Sequence, residues 1–145
     1  MSAPTPSELK KALVTRGFEI YRTTASEVML ADRVRDNLLM DSSVAALTGK
    51  GLAVRVVLRA EAASFPGESA EELFARARAL AAAAEGRGYR ETTSRAVTIH
   101  DPGDKTRTLD TWFEVWFERP VEDIEELAAE LKAALLLEKS AASTR

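Results

Sequence analysis

The sequence predicts an α+β fold, in which an antiparallel sheet of about five strands carries helices packed on one face. Two long runs, residues 52–62 and 106–118, alternate apolar and polar side chains, as strands with one buried face do. Two other runs open with capping boxes, which mark helix starts. The elements follow in the order α-β-β-(β)-α-β-β-α, and such an order favours one sheet layered against helices.

The first half of the chain is predicted to open with a short helix. Thr5 is placed to cap it, Pro6 suits its first turn, and Glu8 completes a capping box. Gly17 is expected to end this helix. Short strands are predicted at residues 18–24 and 26–35. The pattern leaves residues 36–51 open between a helical turn and a further strand, which is the bracketed one.

The second half is predicted to continue with a helix from Ser69, capped with Glu72, to about residue 85. A strand over residues 89–100 and a turn at 101–104 lead into the strand at 106–118. Pro120 is predicted to start the last helix, whose first turn carries acidic residues suited to a helix N-terminus. We expect a single domain at residues 5–139, with flexible tails at 1–4 and 140–145.

Both tryptophans lie in one strand-like stretch, residues 108–119, with the sequence TLDTWFEVWFER. Alternation places Phe113, Val115 and Phe117 on the core face and the tryptophans with glutamates on the other. A helix covering that face and a surface for a partner are both compatible with the pattern. If the two long strands are neighbours, arginines of the first share this face. The predicted partner-binding residues are Trp112, Trp116, Arg55, Arg59, Glu114 and Glu118.

Bulk composition narrows the classes of function. The chain has 145 residues, enough for one domain, with 46% apolar residues and a net charge of -3, which disfavours non-specific nucleic-acid binding. It contains no cysteine and one histidine, His100, so it has no thiolate zinc site, disulfide or histidine-based triad. We therefore expect no catalytic residues, no metal and no cofactor, although the pattern leaves enzymatic activity open.

The cellular setting is also an expectation from composition. The first residues lack the apolar core of a secretory signal, and no apolar run approaches the roughly 18 residues of a membrane span. These features predict a cytoplasmic protein without membrane contact. The abundance of Ala, Arg, Glu and Leu is typical of GC-rich bacterial genomes.

Three short patterns that resemble chemical motifs are better explained as structure. His100, Asp101 and Asp104 surround a predicted turn, where a solvated turn is the simpler interpretation than a metal site. Residues 48–51, Thr-Gly-Lys-Gly, lack the first glycine and the following Ser or Thr of a phosphate loop. Glu114 and Glu118 are four residues apart on one strand, too far for a glycosidase pair at about 5 Å.

The two halves of the sequence also echo each other. The first helix ends in residues 16–18, Arg-Gly-Phe, and the second in residues 87–89, Arg-Gly-Tyr. The strand at 52–61 takes the same place in its half as residues 109–118 do in theirs. An internal duplication and chance similarity both account for this echo.

In element order the chain resembles type III secretion chaperones and the related YbjN-like bacterial proteins. The resemblance covers most of the chain but includes no diagnostic motif, so no functional residue follows from it. It implies a small acidic protein, often dimeric, that binds other proteins without catalysis.

We therefore predict a non-catalytic protein-binding module, which is a chaperone-like, adaptor or regulatory protein that forms a homodimer. The sheet face and the last helix would make the dimer or partner contacts. The alternative is a small-ligand-binding or enzymatic domain with a pocket between sheet and helices, lined by Tyr21, Arg22, Tyr89 and His100. Nucleic-acid binding is the least favoured hypothesis, because the chain is acidic.

Overall fold

A six-stranded antiparallel sheet forms the frame of the protein in the computed structural model. The structure describes residues 4–36 and 38–144, apart from the side chains of residues 34 and 139–144. The strands lie in the order β1-β2-β3-β4-β6-β5, and they comprise β1 (Ile20–Thr23), β2 (Glu27–Arg35), β3 (Leu38–Leu47), β4 (Ala53–Glu61), β5 (Arg90–Asp101) and β6 (Asp104–Pro120). The predicted α+β class is confirmed. The stretch that the pattern left open is the strand β3, so the sheet has six strands rather than about five.

Four helices are described, α1 (Pro6–Thr15), α2 (Ala70–Ala79), α3 (Ala82–Glu85) and α4 (Ile124–Thr144). Both predicted capping boxes are present at the starts of α1 and α2. The backbone N–H of Glu8 donates to Thr5 Oγ1 at 3.2 Å, and that of Glu72 donates to Ser69 Oγ at 3.1 Å. The predicted continuous helix to residue 85 is broken at Leu80 and Ala81, and no residue type there marks the break.

The prediction that Pro120 starts the last helix is wrong. Pro120 ends β6, where it lies opposite Ala53, and the next backbone hydrogen bond in this direction is donated by Val121 to the Leu52 carbonyl at 3.0 Å, so no N–H of residue 120 is needed. Asp123 caps α4 instead, because its Oδ1 accepts a hydrogen bond from the backbone N–H of Glu126 at 2.8 Å. The helix then continues to Thr144, into the stretch predicted as a tail. Residues 1–3 and 145 lie outside the described residues.

The helices pack on one face of the sheet, as predicted. α1 contacts β1 and β2, α2 contacts β4 and β6, and α4 contacts β3 and β4. Apolar residues at every second position of the long strands meet the apolar stripes of these helices. The largest fully buried side chains include Leu9, Leu13, Val54, Val56, Leu58, Leu73, Phe117, Leu127 and Leu131. Within the described residues, no helix is both long and apolar enough to cross a membrane.

The echo between the halves has a structural counterpart at the two helix ends. Gly17 and Gly88 both have positive φ, 89° and 93°, which glycine adopts without steric cost. The arginine before each glycine forms an ion pair with α4, Arg16 with Glu125 and Arg87 with Glu130. The halves differ in their strands, however, since four strands follow the first helix and two precede α4.

Glu130 on α4 has a buried carboxylate that is contacted by two arginines. The residue is 3% exposed, and its carboxylate accepts hydrogen bonds from Arg87 Nε and Nη2 at 3.0 and 2.9 Å and from Arg119 Nη1. Burial alone raises the pKa of Glu130, but the hydrogen bonds and charges of the two arginines outweigh it and lower that pKa below its ordinary value. Beside it, burial and the Glu130 carboxylate raise the pKa of the Tyr89 hydroxyl.

Replacing Glu130 with glutamine should make stability less dependent on pH. The folded-state pKa of Glu130 is depressed, so its contribution is present above the unfolded pKa of about 4.3 and is lost as pH falls through the folded value. Since both arginines are partly exposed, we expect Glu130→Gln to lower the free energy of unfolding by about 1–2 kcal/mol at pH 7. Urea unfolding of both proteins between pH 7 and pH 3 measures this difference.

The control is Glu125→Gln, which removes an exposed carboxylate from the same helix. It should change the free energy of unfolding by a few tenths of a kcal/mol. The free energies of unfolding of the wild type and of Glu130→Gln should approach each other as the pH falls. A difference that stays constant would contradict the assignment of a lowered pKa to Glu130.

Candidate functional site

The second face of the sheet, which we call the open face, carries no helix. Within the part of the chain that the structure describes, all helix contacts fall on the core side, where α2 meets Leu58 and Phe113 through Leu73 and Phe74. The interpretation that a helix covers the two tryptophans is therefore wrong. Trp112 and Trp116 are half-buried, and other strand side chains cover their rings.

The register between β4 and β6 brings the predicted residues together. Val57 lies opposite Trp116, Arg59 opposite Glu114, and Arg55 opposite Glu118. Because residues directly opposite one another share a face, the six predicted partner-binding residues lie on the same open face. The expectation that the two long strands are neighbours is confirmed.

Guanidinium groups stack on both indole rings. Arg59 Cζ lies 4.0 Å from the ring centroid of Trp112. Trp116 has a guanidinium from each neighbouring strand, with Arg55 Cζ at 4.5 Å and Arg95 Cζ at 4.7 Å from its centroid. Such cation–π contacts contribute about 0.5–2 kcal/mol each, depending on how far they are desolvated. They hold the indole rings in one orientation on the sheet surface.

The indole N–H groups are fixed as well. Trp112 Nε1 donates to Asp110 Oδ2 at 3.1 Å, and Trp116 Nε1 donates to Glu114 Oε1 at 3.4 Å. Each carboxylate belongs to the residue two positions earlier on the same face of β6. Stacking from β4 and β5 and hydrogen bonding within β6 together restrain both rings, and none of the described helices takes part.

Each of these arginines also has a carboxylate partner. Arg55 Nη1 lies 2.6 Å from Glu27 Oε2, Arg59 Nε lies 3.2 Å from Glu61 Oε1, and Arg95 Nε lies 2.9 Å from Glu114 Oε1. Arg55 and Glu114 are each only 9% exposed. Arg55 Nε is buried and has no acceptor within the described chain. Glu118 bonds elsewhere, since Thr92 Oγ1 donates to its Oε2 at 3.2 Å.

A groove of about 680 Å³ crosses the open face, with the tryptophans and arginines along one wall. The opposite wall comes from β1, β2 and β3 and is mainly apolar. Its large apolar side chains are Tyr21, Met29, Leu38, Leu39 and Met40, and the polar residues Glu27, Asp41 and Ser43 also line it. Sequence reasoning missed this wall, together with Arg95 and Glu27, except for Tyr21, which it assigned to a different pocket. The only local signal was the apolar run at 38–40, which does not alternate and so gave no face assignment.

A bulge at Ser43 shapes this apolar wall. Ser43 has φ 67°, which is uncommon for a residue with a side chain, and its backbone N–H donates to Asp41 Oδ1 at 2.8 Å. The pairing of β2 with β3 shifts register beside it, and the pairing of β3 with β4 ends at Val44 opposite Val56. The first half of β3 is therefore not paired with β4, and its residues 38–40 line the groove.

The pocket predicted between sheet and helices is not formed by the residues proposed for it. Tyr21 and Arg22 lie on β1, whereas His100 lies on β5. Tyr89 is the residue directly before β5. These strands are opposite edges of the sheet, about 24 Å apart at a strand spacing of about 4.8 Å. A different cavity of about 260 Å³ lies on the core side and is lined by Gly17, Phe18, Leu30, Ser42, Leu135 and Glu138, among others.

The two short motifs around His100 and at residues 48–51 lie at turns between strands. His100 is exposed near the end of the β5–β6 hairpin, and residues 49–51 form a tight connection between β3 and β4. Asp101 Oδ1 accepts a hydrogen bond from the backbone N–H of Gly103, two residues on, at 2.8 Å. Among the described residues, no three histidine, aspartate or glutamate side chains are grouped as a metal site would require.

Replacing Ser43 should test the bulge directly. Glycine adopts positive φ without the steric cost of Cβ, so Ser43→Gly should raise the free energy of unfolding by up to about 1 kcal/mol. Ser43→Val introduces a β-branched side chain at the same φ and should lower it by about 1–2 kcal/mol. Chemical denaturation of the three proteins measures both changes. Equal stabilities of the glycine and valine variants would show that residue 43 does not adopt this conformation.

Comparison with family models, curated proteins and solved structures finds no match to this chain. The resemblance in element order to type III secretion chaperones and YbjN-like proteins therefore remains an expectation from the sequence.

Proposed function

We propose that this chain is a non-catalytic protein-binding module, a chaperone-like, adaptor or regulatory protein that binds its partner through the open face. The observation that carries the proposal is the pair Trp112 and Trp116, held by guanidinium stacks in an open groove with an apolar wall. A sheet face exposed to water is normally polar throughout, whereas this one combines its charged residues with two tryptophans and an apolar run at residues 38–40.

The composition of the groove supports binding. Tryptophan, tyrosine and arginine are the residues that most often dominate the energy of protein interfaces, and the groove contains all three. The rings are already restrained by Arg55, Arg59 and Arg95, so little further conformational entropy is lost when a partner covers them. Met40 is 51% exposed, and covering such side chains adds a hydrophobic contribution.

The charged groups of the groove favour a binding role over a catalytic one. Its arginines are engaged by Glu27, Glu61 and Glu114, so those carboxylates act as ion-pair partners rather than as free acids or bases. Among the described residues that line it, the groove has no histidine, cysteine or lysine to act as a base or nucleophile, and the carboxylate of Asp41 accepts the backbone N–H of Ser43.

A homodimer through this face and a cytoplasmic location are parts of the same proposal. The last helix supplies a second, smaller contact, because Leu136 on α4 is 68% exposed while Leu127 and Leu131 of the same helix are buried in the core. The open face carries both tryptophans and the groove, so we assign it the main contact.

The alternative of small-ligand binding is supported by one measurement, the groove volume of about 680 Å³, which lies in the range of ligand sites. A thermal-shift screen with metabolites and nucleotides separates the two proposals. Saturable stabilisation by one chemical class, reduced in the Trp112→Ala variant, would favour the ligand. The absence of such stabilisation favours a protein partner.

Replacing both tryptophans with alanine should abolish binding and preserve the fold. Because the rings are half-buried on the open face, Trp112→Ala/Trp116→Ala should lower the free energy of unfolding by about 1–3 kcal/mol while the circular dichroism spectrum is retained. Partner capture from a native extract and dimer formation in sedimentation velocity should both be lost.

The matched control is Leu109→Ala, which truncates an exposed apolar side chain, 48% exposed, on the same strand but outside the groove. It should bind as wild type does. An unfolded double-tryptophan variant would show that the rings are core, and unchanged binding by a folded one would remove the open face from the proposal.

A further inference from the structure

The sheet contains a gap between β3 and β4. These two strands pair over four residue pairs only, from Val44 opposite Val56 to Leu47 opposite Ala53. Beyond Val56, β4 continues to Glu61 paired with β6 alone, and residues 38–41 of β3 are paired with β2 alone. The bulge at Ser43 marks the point where β3 and β4 separate.

Two strand edges therefore lack a partner within the described chain, and both border the groove. Side chains of both, such as Met40 and Arg59, line the same space. An unpaired strand edge presents a row of N–H and C=O groups that pair readily with another extended chain. The edge at residues 57–61 is about 17 Å long at about 3.4 Å per residue.

We propose that this gap receives an extended segment of a partner protein, which pairs with the free edge of β4 at residues 57–61. The inference rests on the proposed function and specifies the kind of partner. Backbone hydrogen bonds would provide affinity, and side chains at every second position would provide specificity, as in other cases of strand addition. Residues of the segment that face the groove are apolar or aromatic, to match Leu39, Met40 and Trp112.

The geometry disfavours a helix, or a strand of a second copy of this chain, as the occupant of the gap itself; the proposed homodimer would cover the open face without entering the gap. A helix satisfies its own backbone groups and would leave the edge of β4 unpaired. In its described part, a second copy offers the edge strands β1 and β5 and the same two edges beside its own gap, and each of these strands is already paired on its other side. Because β3 borders the far side of the gap, a strand that enters it cannot keep a neighbouring strand of its own on that side, which suits a single extended segment.

The environment of Arg55 agrees with this occupant. Arg55 lies at the closed end of the gap, opposite Ala45, and its buried Nε has no acceptor in the described chain. Buried donors in folded proteins are nearly always satisfied. An extended segment brings unpaired carbonyl oxygens to this end of the groove, which is the kind of acceptor that Arg55 lacks.

The test uses synthetic peptides as probes. Twelve-residue peptides are selected from a random displayed library on the immobilised full-length chain, and the most enriched are synthesised. Their affinities are measured for the wild type and for the Trp112→Ala/Trp116→Ala variant. N-methylation at each peptide position in turn then removes single backbone donors.

For the wild type we expect methylation to lower affinity about tenfold at alternate positions, where the N–H faces β4, and about twofold or less between them. Bound peptide should also slow amide hydrogen exchange within residues 57–61. Met40→Asp should weaken the peptides at least tenfold. Leu109→Asp, the same change at a similarly exposed residue outside the groove, should leave their affinity unchanged.

The outcomes separate this inference from the proposed function. Some peptides could require the tryptophans and yet show neither an alternating effect of N-methylation nor slower exchange at residues 57–61. That result would overturn the strand pairing and support binding through the open face. Peptides that bind as helices, or protection of residues 57–61 that appears only when the chain dimerises, overturn it in favour of those occupants. A selection without any tryptophan-dependent peptide overturns both proposals.

Discussion

The pairing of β4 with β6 is the constraint on which the rest of the structure depends. The two strands are in continuous register over nine residue pairs, from Ala53 opposite Pro120 to Glu61 opposite Trp112, without a bulge. This register places Val56, Leu58, Val115 and Phe117 on the core face. A slip of one residue in one strand would turn its apolar row to the solvent. The composition of the open face is thus a consequence of the same alternation that builds the core.

A local departure from regular pairing turns this flat face into a groove. If β3 followed β4 along its whole length, Leu39 and Met40 would lie in an ordinary sheet. The bulge at Ser43 instead ends the pairing after four residues and places the apolar start of β3 along the same groove as the tryptophans. The cost is one residue with positive φ, about 1–2 kcal/mol. Bulges often lie beside functional sites, where they redirect side chains in this way.

The features that the sequence predicted well are those that local patterns determine. Capping boxes at Thr5 and Ser69 depend on residues three apart, and the two long strands depend on alternation within ten residues. The six predicted partner-binding residues could be grouped on one face because all of them lie on those two strands. The pairing of β4 with β6 is not encoded by any local pattern, so the prediction had to assume it.

The missed features depend on contacts between distant parts of the chain. Arg95 reaches Trp116 only through the β5–β6 hairpin, and a register shift between Glu91 and Thr93 interrupts the alternation of β5. The start of β3 is exposed, so its residues show no alternation to identify a strand. Pro120 is compatible with both a helix start and a strand end. Pairing with Ala53 decided between them, and no local pattern encodes that pairing.

The ion pairs of the open face explain why this surface suits recognition rather than chemistry. A partner that covers Arg55 and Glu114 removes their remaining water, and an ion pair tolerates this only when its hydrogen bonds are completed. Each described pair uses few of the five guanidinium donors, so the remaining donors require acceptors from the partner. A segment that buries the tryptophans without supplying acceptors would incur a desolvation penalty. The stacked arginines therefore contribute to affinity through the rings and to selectivity through their unused donors.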